Sequence, residues 1–309
     1  MHASDGYAIG GFLWRNPAPG AGKQPVVIIN AATSVTCGYY TRFAAFLCEQ
    51  GFDVLTYDYR GIGLSRPRSL RRFPASWIDW GKLDFEAVLL HAKGSFPGQP
   101  IDVVAHSIGG FIIGFAPSNH LIRRIVTMGA QHAYWRDYAP RSRYRMLVKW
   151  HLVMPLLTAV VGYFPGRILG WLEDTPSGVV RDWSRAQRRF EDGYRSLTGK
   201  HAEAKALMQQ FSAVTAPTLA LSVTDDDFGT VPAIERVLAY FTGSPATHLR
   251  ISPESIAQAA IGHFAFFSGR HEKTLWPIPL EWLRHGRCPD DAPGTIVATG
   301  LRRAPWPEG

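Results

Sequence analysis

The stretch Ile101-Asp102-Val103-Val104-Ala105-His106-Ser107-Ile108-Gly109-Gly110 sets a serine between an apolar, β-branched run and a glycine-rich segment. Ile101 to Ala105 reads as a buried strand, and Ile108 opens a helix. A serine on so sharp a strand-to-helix turn takes a strained backbone conformation, so the residues two before and two after it must be small. Here they are Ala105 and Gly109. Such a turn projects Ser107 from the C-terminal edge of a sheet, above a helix N-terminus that favours developing negative charge. A serine N-cap on an ordinary helix is the plainer alternative. The strand on one side and the glycines on the other argue against it.

Working outward, strands and helices alternate, which predicts an α/β fold with a mostly parallel central sheet flanked by helices. Asp5-Gly6 reads as a turn before a strand from Tyr7 to Trp14. Pro25 to Asn30 is a second strand, Arg42 to Gln50 a helix ended by Gly51, and Phe52 to Tyr57 a third strand. Ser76 caps a helix that runs to Lys93. Arg124 to Met128 is a strand. From Gln131 to Gln210 the pattern changes to aromatic, arginine-rich and helical stretches with no convincing strand. We read this as a helical cap inserted over one end of the sheet. Alternation resumes with a strand from Thr218 to Val223, a helix from Val231 to Tyr240, a strand from Thr247 to Ile251 and a last helix from Lys273 to Arg284. The expected organisation is a core at 1–130 and 211–288, a cap at 131–210, and a loosely held Pro- and Gly-rich tail at 289–309.

The 309 residues are 46% hydrophobic and 19% charged, which suits a sizeable core and excludes disorder. The longest apolar candidate, Met146 to Phe164, is broken by Lys149, His151 and Pro155, so it reads as buried or cleft-lining helix rather than a membrane span. The start, Met1-His2-Ala3-Ser4-Asp5-Gly6, lacks a basic, apolar leader, so the expected compartment is cytoplasmic. Three scattered cysteines offer neither a disulfide framework nor a zinc site. The net charge of +8 reads as a solvated basic surface. No recognition motif accompanies it, so nucleic acid is not an expected partner. Attraction of the basic surface to anionic membranes or acidic substrates is the sharper alternative; membrane contact is left open without a feature that indicates it, and nothing speaks to oligomeric state. Gly61-Ile62-Gly63 lacks a third glycine and a following Gly-Lys-Ser/Thr, so nucleotide binding is disfavoured and Arg60 beside it is read as structural.

The Ser107 segment resembles that of the α/β-hydrolase fold family, in its lipase, esterase and serine-aminopeptidase-like branch. It departs from the usual Gly-x-Ser-x-Gly at Ala105. Trp135-Arg136-Asp137-Tyr138 and Arg181-Asp182-Trp183 resemble a bacterial group within that family, a likeness that supplies no substrate. The resemblance implies the chain order serine, acid, histidine. Laid over Ala216-Pro217 and the strand that follows, the family pattern puts the acid at Asp226, with Asp225 the runner-up. The base then falls at His263 in Ile261-Gly262-His263-Phe264, a loop after the last strand where Gly262 permits a sharp turn. His106 is read as packing residue with its ring turned from the pocket. Relatives commonly carry His-Gly after the strand equivalent to Pro25–Asn30; here stands Asn30-Ala31-Ala32. The implied oxyanion donors are the N–H groups of Ile108 and Ala32.

These residues imply hydrolysis of a small-molecule carboxylic ester through an acyl-enzyme on Ser107, without metal or organic cofactor. His151 to Val161 is a candidate lining for an apolar acyl group. The alternatives are an aminopeptidase-like amide hydrolase, an acyltransferase, and a binding protein on a vestigial hydrolase core. An aminopeptidase would need an acidic group for the substrate amine; Glu173, Asp174, Glu191 and Asp192 are the acids available in the cap.

Overall fold

The computed structural model describes residues 1–16, 24–199 and 201–298, except for the side chains of 196–198 and 201. Eight strands form one sheet: β1 (Gly11–Trp14), β2 (Val26–Asn30), β3 (Asp53–Tyr57), β4 (Ile101–His106), β5 (Ile122–Met128), β6 (Thr218–Val223), β7 (Ala246–Ile251) and β8 (Thr295–Val297). Their order is β1-β3-β2-β4-β5-β6-β7-β8. The β1–β3 and β7–β8 pairs are antiparallel, and the remaining pairs are parallel. β2, β3, β4 and β6 are buried along their whole length, the mark of strands covered on both faces. Their side chains, with Phe43, Trp80, Phe111 and Trp276, make one continuous core.

Several boundaries moved. The first strand covers only Gly11–Trp14, because Tyr7 lies off the sheet and its hydroxyl donates to the Ser65 carbonyl at 2.6 Å. The expected Ser76 cap is a reciprocal capping box: Ser76 Oγ accepts from the Asp79 N–H, and the Ser76 N–H donates to Asp79 Oδ2. The helix it opens widens into a π-helical stretch at Trp80–Phe85 before resuming over Glu86–Ser95. The helix that Ile108 opens is short: one α-helical turn, Ile108–Phe111, tightens to 3-10 geometry over Ile112–Phe115. The last helix starts at Pro277, where a proline forgoes an N–H that would be unpaired anyway. The tail is a correction in part. Thr295–Val297, a β-branched run, adds β8 to the edge of the sheet, while 299–309 lie outside the described residues.

Between β5 and β6 the described chain carries no strand; one β-bridge joins Phe164 to Thr175. Its central helix runs Arg143–Met146, widens to π geometry over Leu147–Val153, and returns to α over Met154–Val161. This segment is tied down by Asp137–Arg236, by Arg66–Asp174 at 2.8 Å and by Asp182 Oδ2, which accepts from the Trp77 N–H at 2.7 Å. Arg60 is structural, as read: it pairs with Asp84 and Asp5, both at 2.7 Å. Among the described residues, no helix is long and apolar enough to cross a membrane.

Three histidines are held neutral inside this core. Burial pushes His106 and His132 down to about 3 and His248 down to about 4. In the unfolded chain each takes a proton near about pH 6.5. On acidification below that value the unfolded state binds protons that the folded state refuses, so stability falls until the folded values are reached. Each contributes a slope of about 1.4 kcal/mol per pH unit. Asp84 and Asp182, which burial raises to about 7, act in the opposite sense over the same range, so the histidine contribution is read from a variant. The stability of His132→Phe is expected to fall less steeply than that of the native chain between about pH 6.5 and about pH 4.5, by about 1.4 kcal/mol per pH unit in urea unfolding; equal slopes would show that the folded protein accepts this proton.

Candidate active site

Ser107 ends β4 in the strained conformation that the sequence predicts, with φ 56° and ψ −123°. Its N–H donates to the Met128 carbonyl at 2.9 Å and its carbonyl accepts from Gly110 at 3.1 Å. Gly109 is required by space: a Cβ there would lie 2.6 Å from the Asn30 carbonyl oxygen and 2.7 Å from that of Ala31. Ala105 keeps its place in the ladder, opposite Asn30 and Thr127, so the extra methyl is buried without breaking the turn.

His263 and Asp226 meet as the resemblance implied. The His263 Nδ1 lies 2.7 Å from Asp226 Oδ2. Burial works to raise the Asp226 pKa, but His263 and the N–H groups of Gly229 and Phe228 outweigh it and hold the carboxyl below its ordinary value. Asp226 is therefore an ionised acceptor, so Nδ1 is a nitrogen that carries a ring proton, and in the neutral ring Nε2 is the one left with its lone pair. Gly129 and Gly229 pack directly on the pair. A Cβ on Gly229 would fall 2.5 Å from Asp226 Oδ2, and one on Gly129 3.0 Å from it.

The neighbouring aspartates have other partners. Asp225 Oδ2 accepts the N–H groups of Ile261 and Gly262, both at 2.9 Å, and so pins the loop that carries His263. Asp227 faces outward to Arg141 at 2.8 Å and Arg145 at 3.5 Å.

Ser107 and His263 line one cavity of about 200 Å³ with Ala32, Thr33, Gln131 and Phe264. Its opposite wall comes from the β5–β6 segment: Lys149, Trp150, Trp171, Leu172 and Trp183. Trp150 stacks on Trp183 at 4.9 Å between ring centres, and Phe228 bridges this wall to the His263 ring at 4.8 Å. The expected apolar lining from His151 to Val161 does not reach the cavity. His151 instead joins Tyr138 and the Ser184 carbonyl, and Leu152, Leu156 and Val160 face solvent. A larger surface hollow, about 590 Å³ and lined in part by Arg195, Lys205 and Met208, includes none of these site residues.

The structure adds Gln131, gives His106 a further role and finds one implied donor already engaged. No hydrogen bond joins Ser107 Oγ to the His263 ring in this structure; Gln131 Nε2 donates to Ser107 Oγ at 3.1 Å. The Gln131 side-chain oxygen Oε1 is fixed in turn by the N–H of Ala133, itself at φ 62°. Sequence reasoning missed Gln131, whose one signal was its place just past Met128, at the C-terminal edge of the strand beside β4. The N–H of Ile108, first in its helix, has no intrahelical acceptor and stays available. That of Ala32, which also lines the cavity, is already engaged: it donates to Tyr40 Oη at 2.9 Å. His106 is more than packing. Its Nε2 lies 2.9 Å from the His263 carbonyl and its Nδ1 2.8 Å from Tyr40 Oη. A carbonyl accepts only, so Nε2 bears the proton and Nδ1 accepts from Tyr40.

A model of the serine aminopeptidase, S33, family matches residues 22–253. The chain belongs to that family. Its fold is that of the α/β hydrolases. A soluble variant of the Saccharomyces cerevisiae monoglyceride lipase, solved with a substrate analogue, is 14% identical, with a TM-score of 0.64 over 91% of this chain and 92% of that one. The monoacylglycerol lipase of Paleococcus ferrophilus is 14% identical, with a TM-score of 0.55 over 89% and 98%. An esterase of Pyrococcus furiosus is 16% identical, with a TM-score of 0.53 over 92% and 85%. At these identities the likeness carries the fold. No curated protein matches the sequence.

Asp225 and Asp226 separate in two measurements. Asp225→Ala removes the acceptor of two amides, so hydrogen exchange at Ile261 and Gly262 is expected to quicken, whereas Asp226→Asn leaves those amides protected. Asp226→Asn frees the ring to take the wrong tautomer and is expected to lower turnover about 10⁴-fold, the size of effect known for such a change in a serine protease. Greater damage to turnover from Asp225→Asn than from Asp226→Asn would reverse the two roles.

Proposed function

We propose that the protein is a serine hydrolase of small carboxylic esters, with Ser107 as nucleophile, His263 as base and Asp226 as the acid that orients it. The observation that carries this reading is the Asp226–His263 bond of 2.7 Å, in the same cavity as a serine at φ 56°. A serine hydroxyl is a weak nucleophile near neutral pH and needs a base with a free lone pair, which His263 Nε2 supplies. Hydrogen bonds of this kind are often long or absent without substrate and tighten when it binds. Ser107 Oγ turns from Gln131 to His263, gives up its proton to Nε2 and bonds to the ester carbon. The carbonyl π electrons move to oxygen. The oxyanion then re-forms the carbonyl and the C–O bond to the alcohol breaks as His263 Nε2 gives its proton to the leaving oxygen; water, giving its own proton to Nε2, attacks the acyl carbon in the same way and expels Ser107 Oγ, which takes that proton back.

The developing oxyanion is met by the Ile108 N–H. Gln131 Nε2, freed when Ser107 Oγ turns, supplies a second donor beside the reacting carbon. Ala32, the donor implied by resemblance, serves only by leaving Tyr40 Oη. The 131–210 segment acts as a cap whose tryptophans exclude water. Leu152, Leu156 and Val160 stand outside the pocket, and its small volume suits short acyl groups better than long ones.

The aminopeptidase reading is weaker for a specific reason. Among the described residues no carboxylate lines the cavity. Glu173 pairs with Arg167, Asp174 with Arg66 and Asp192 with Arg195, and Glu191 accepts from Tyr240. Nothing there holds a substrate ammonium.

A fluorophosphonate probe should label Ser107 in the native chain and fail to label Ser107→Ala. An unlabelled native protein would leave the vestigial binding protein as the better reading. Among esters, short acyl chains should be turned over faster than long ones, and aminoacyl amides should be poor substrates. Loss of one oxyanion donor typically lowers kcat about 10²–10³-fold. Gln131→Ala should fall in that range with KM little changed; an unaltered kcat would remove Gln131 from the mechanism.

A further inference from the structure

Lys149 brings a positive charge to the cavity that holds Ser107 and His263. It lies on the π-helical stretch Leu147–Val153, and π-helical bulges frequently mark functional sites. Its ammonium nitrogen sits 4.0 Å from the ring centre of Trp171 and 4.5 Å from that of Trp150, both of which line the same cavity. The aromatic faces hold the cation in place without neutralising it. Among the described residues no carboxylate pairs with Lys149. The acids on the elements around it are engaged elsewhere: Asp227 with Arg141 and Arg145, Glu173 with Arg167, Asp174 with Arg66, and Asp226 with His263. Burial and the neighbouring Arg145 already weigh against the charged form of Lys149, so an arriving anion relieves an unfavourable state.

We infer that Lys149, braced by Trp150 and Trp171, is the recognition site for a carboxylate on the substrate, and that the preferred ester is a small one bearing a second, anionic group. This rests on the serine hydrolase reading of Ser107. The cavity of about 200 Å³ sets the scale: the carboxylate and the scissile ester must lie only a few bonds apart. The net charge of +8 acts in the same sense at longer range, by steering anions toward the protein.

Three methyl esters of similar size separate the possibilities: monomethyl succinate, neutral dimethyl succinate, and the cationic methyl ester of γ-aminobutyric acid. At low ionic strength kcat/KM for monomethyl succinate is expected to exceed that for dimethyl succinate about tenfold, with the aminobutyrate ester the poorest. The preference should shrink as salt is raised. Lys149→Met should abolish it, and Lys149→Arg should largely keep it. The salt series on the native protein and the arginine variant stand if the methionine variant fails to fold. A native ratio at or below one overturns the inference, as does a ratio that Lys149→Met leaves unchanged. If dimethyl succinate is turned over and Ser107 takes the fluorophosphonate label, that failure touches the anion site alone. If neither occurs, the hydrolase reading fails with it.

Discussion

The rest of the site depends on one backbone constraint, the left-handed turn at Ser107. A non-glycine residue with φ near 56° costs about 1–3 kcal/mol and persists only where its surroundings over-determine it. Here β4 is buried along its whole length between β2 and β5, and the Ser107 N–H is fixed on the Met128 carbonyl. Gly109 lets the chain pass against the Asn30 and Ala31 carbonyls closer than any side chain would allow. The turn therefore sets two things together. It exposes the serine to the cavity, and it locks the loop after β2 against the helix start that carries the Ile108 N–H.

That constraint is local, and so it was legible. An apolar run, a serine and two glycines occupy ten consecutive residues, and their spacing reports the turn directly. The parallel sheet was legible for the same reason, since buried strands such as Val26–Asn30 and Thr218–Val223 are short apolar runs. The register between distant segments was not. Asp225 and Asp226 differ by one position, and no local pattern says which faces the histidine. Both contribute: one orients the ring, the other pins the loop beneath it. Gln131 had no motif around it, and its importance comes from β5 lying next to β4. The orientation of the long helix after Met146 was equally hidden. Its π-helical stretch shifts the phase of the residues beyond it, so Lys149 and Trp150 reach the cavity while the apolar run from Leu152 to Val160 does not. β8 escaped notice because three residues are too short a signal in a tail of Pro and Gly.

The electrostatic character of the site follows from where its acids are spent. Among the described residues the cavity wall carries a lysine and a histidine and no carboxylate, although Glu173, Asp174 and Asp227 lie on the segments around it. Those acids are consumed by arginines, among them Arg66 and Arg141, which brace the β5–β6 segment on the core. The same pairs that hold the wall in place thereby strip it of negative charge. Asp226 is the exception in reach of the chemistry, and it is fully turned to His263 and two backbone amides.

The loop bearing His263 has no regular helix or strand, only short 3-10 turns at Pro253–Ile256, Ala265–Phe267 and Gly269–His271. For the proposed chemistry His263 must nevertheless stay within reach of Ser107. Asp225 holds the loop at Ile261 and Gly262, and the Tyr39 hydroxyl holds the Phe264 carbonyl at 2.7 Å. Between them, a buried chain runs from the Ala32 N–H to Tyr40 Oη, from the Tyr40 hydroxyl to His106 Nδ1, and from His106 Nε2 to the His263 carbonyl. Every donor in it points the same way. Burial, aided by the adjacent His263, pushes His106 down to about 3, so it stays neutral and the direction of the chain does not reverse at working pH. Shifting either loop would leave a buried polar group unsatisfied, at about 1–3 kcal/mol. His106 thus ties the loop after β2 to the loop that carries His263. Their spacing is set by hydrogen-bond geometry rather than by the stiffness of the loops themselves.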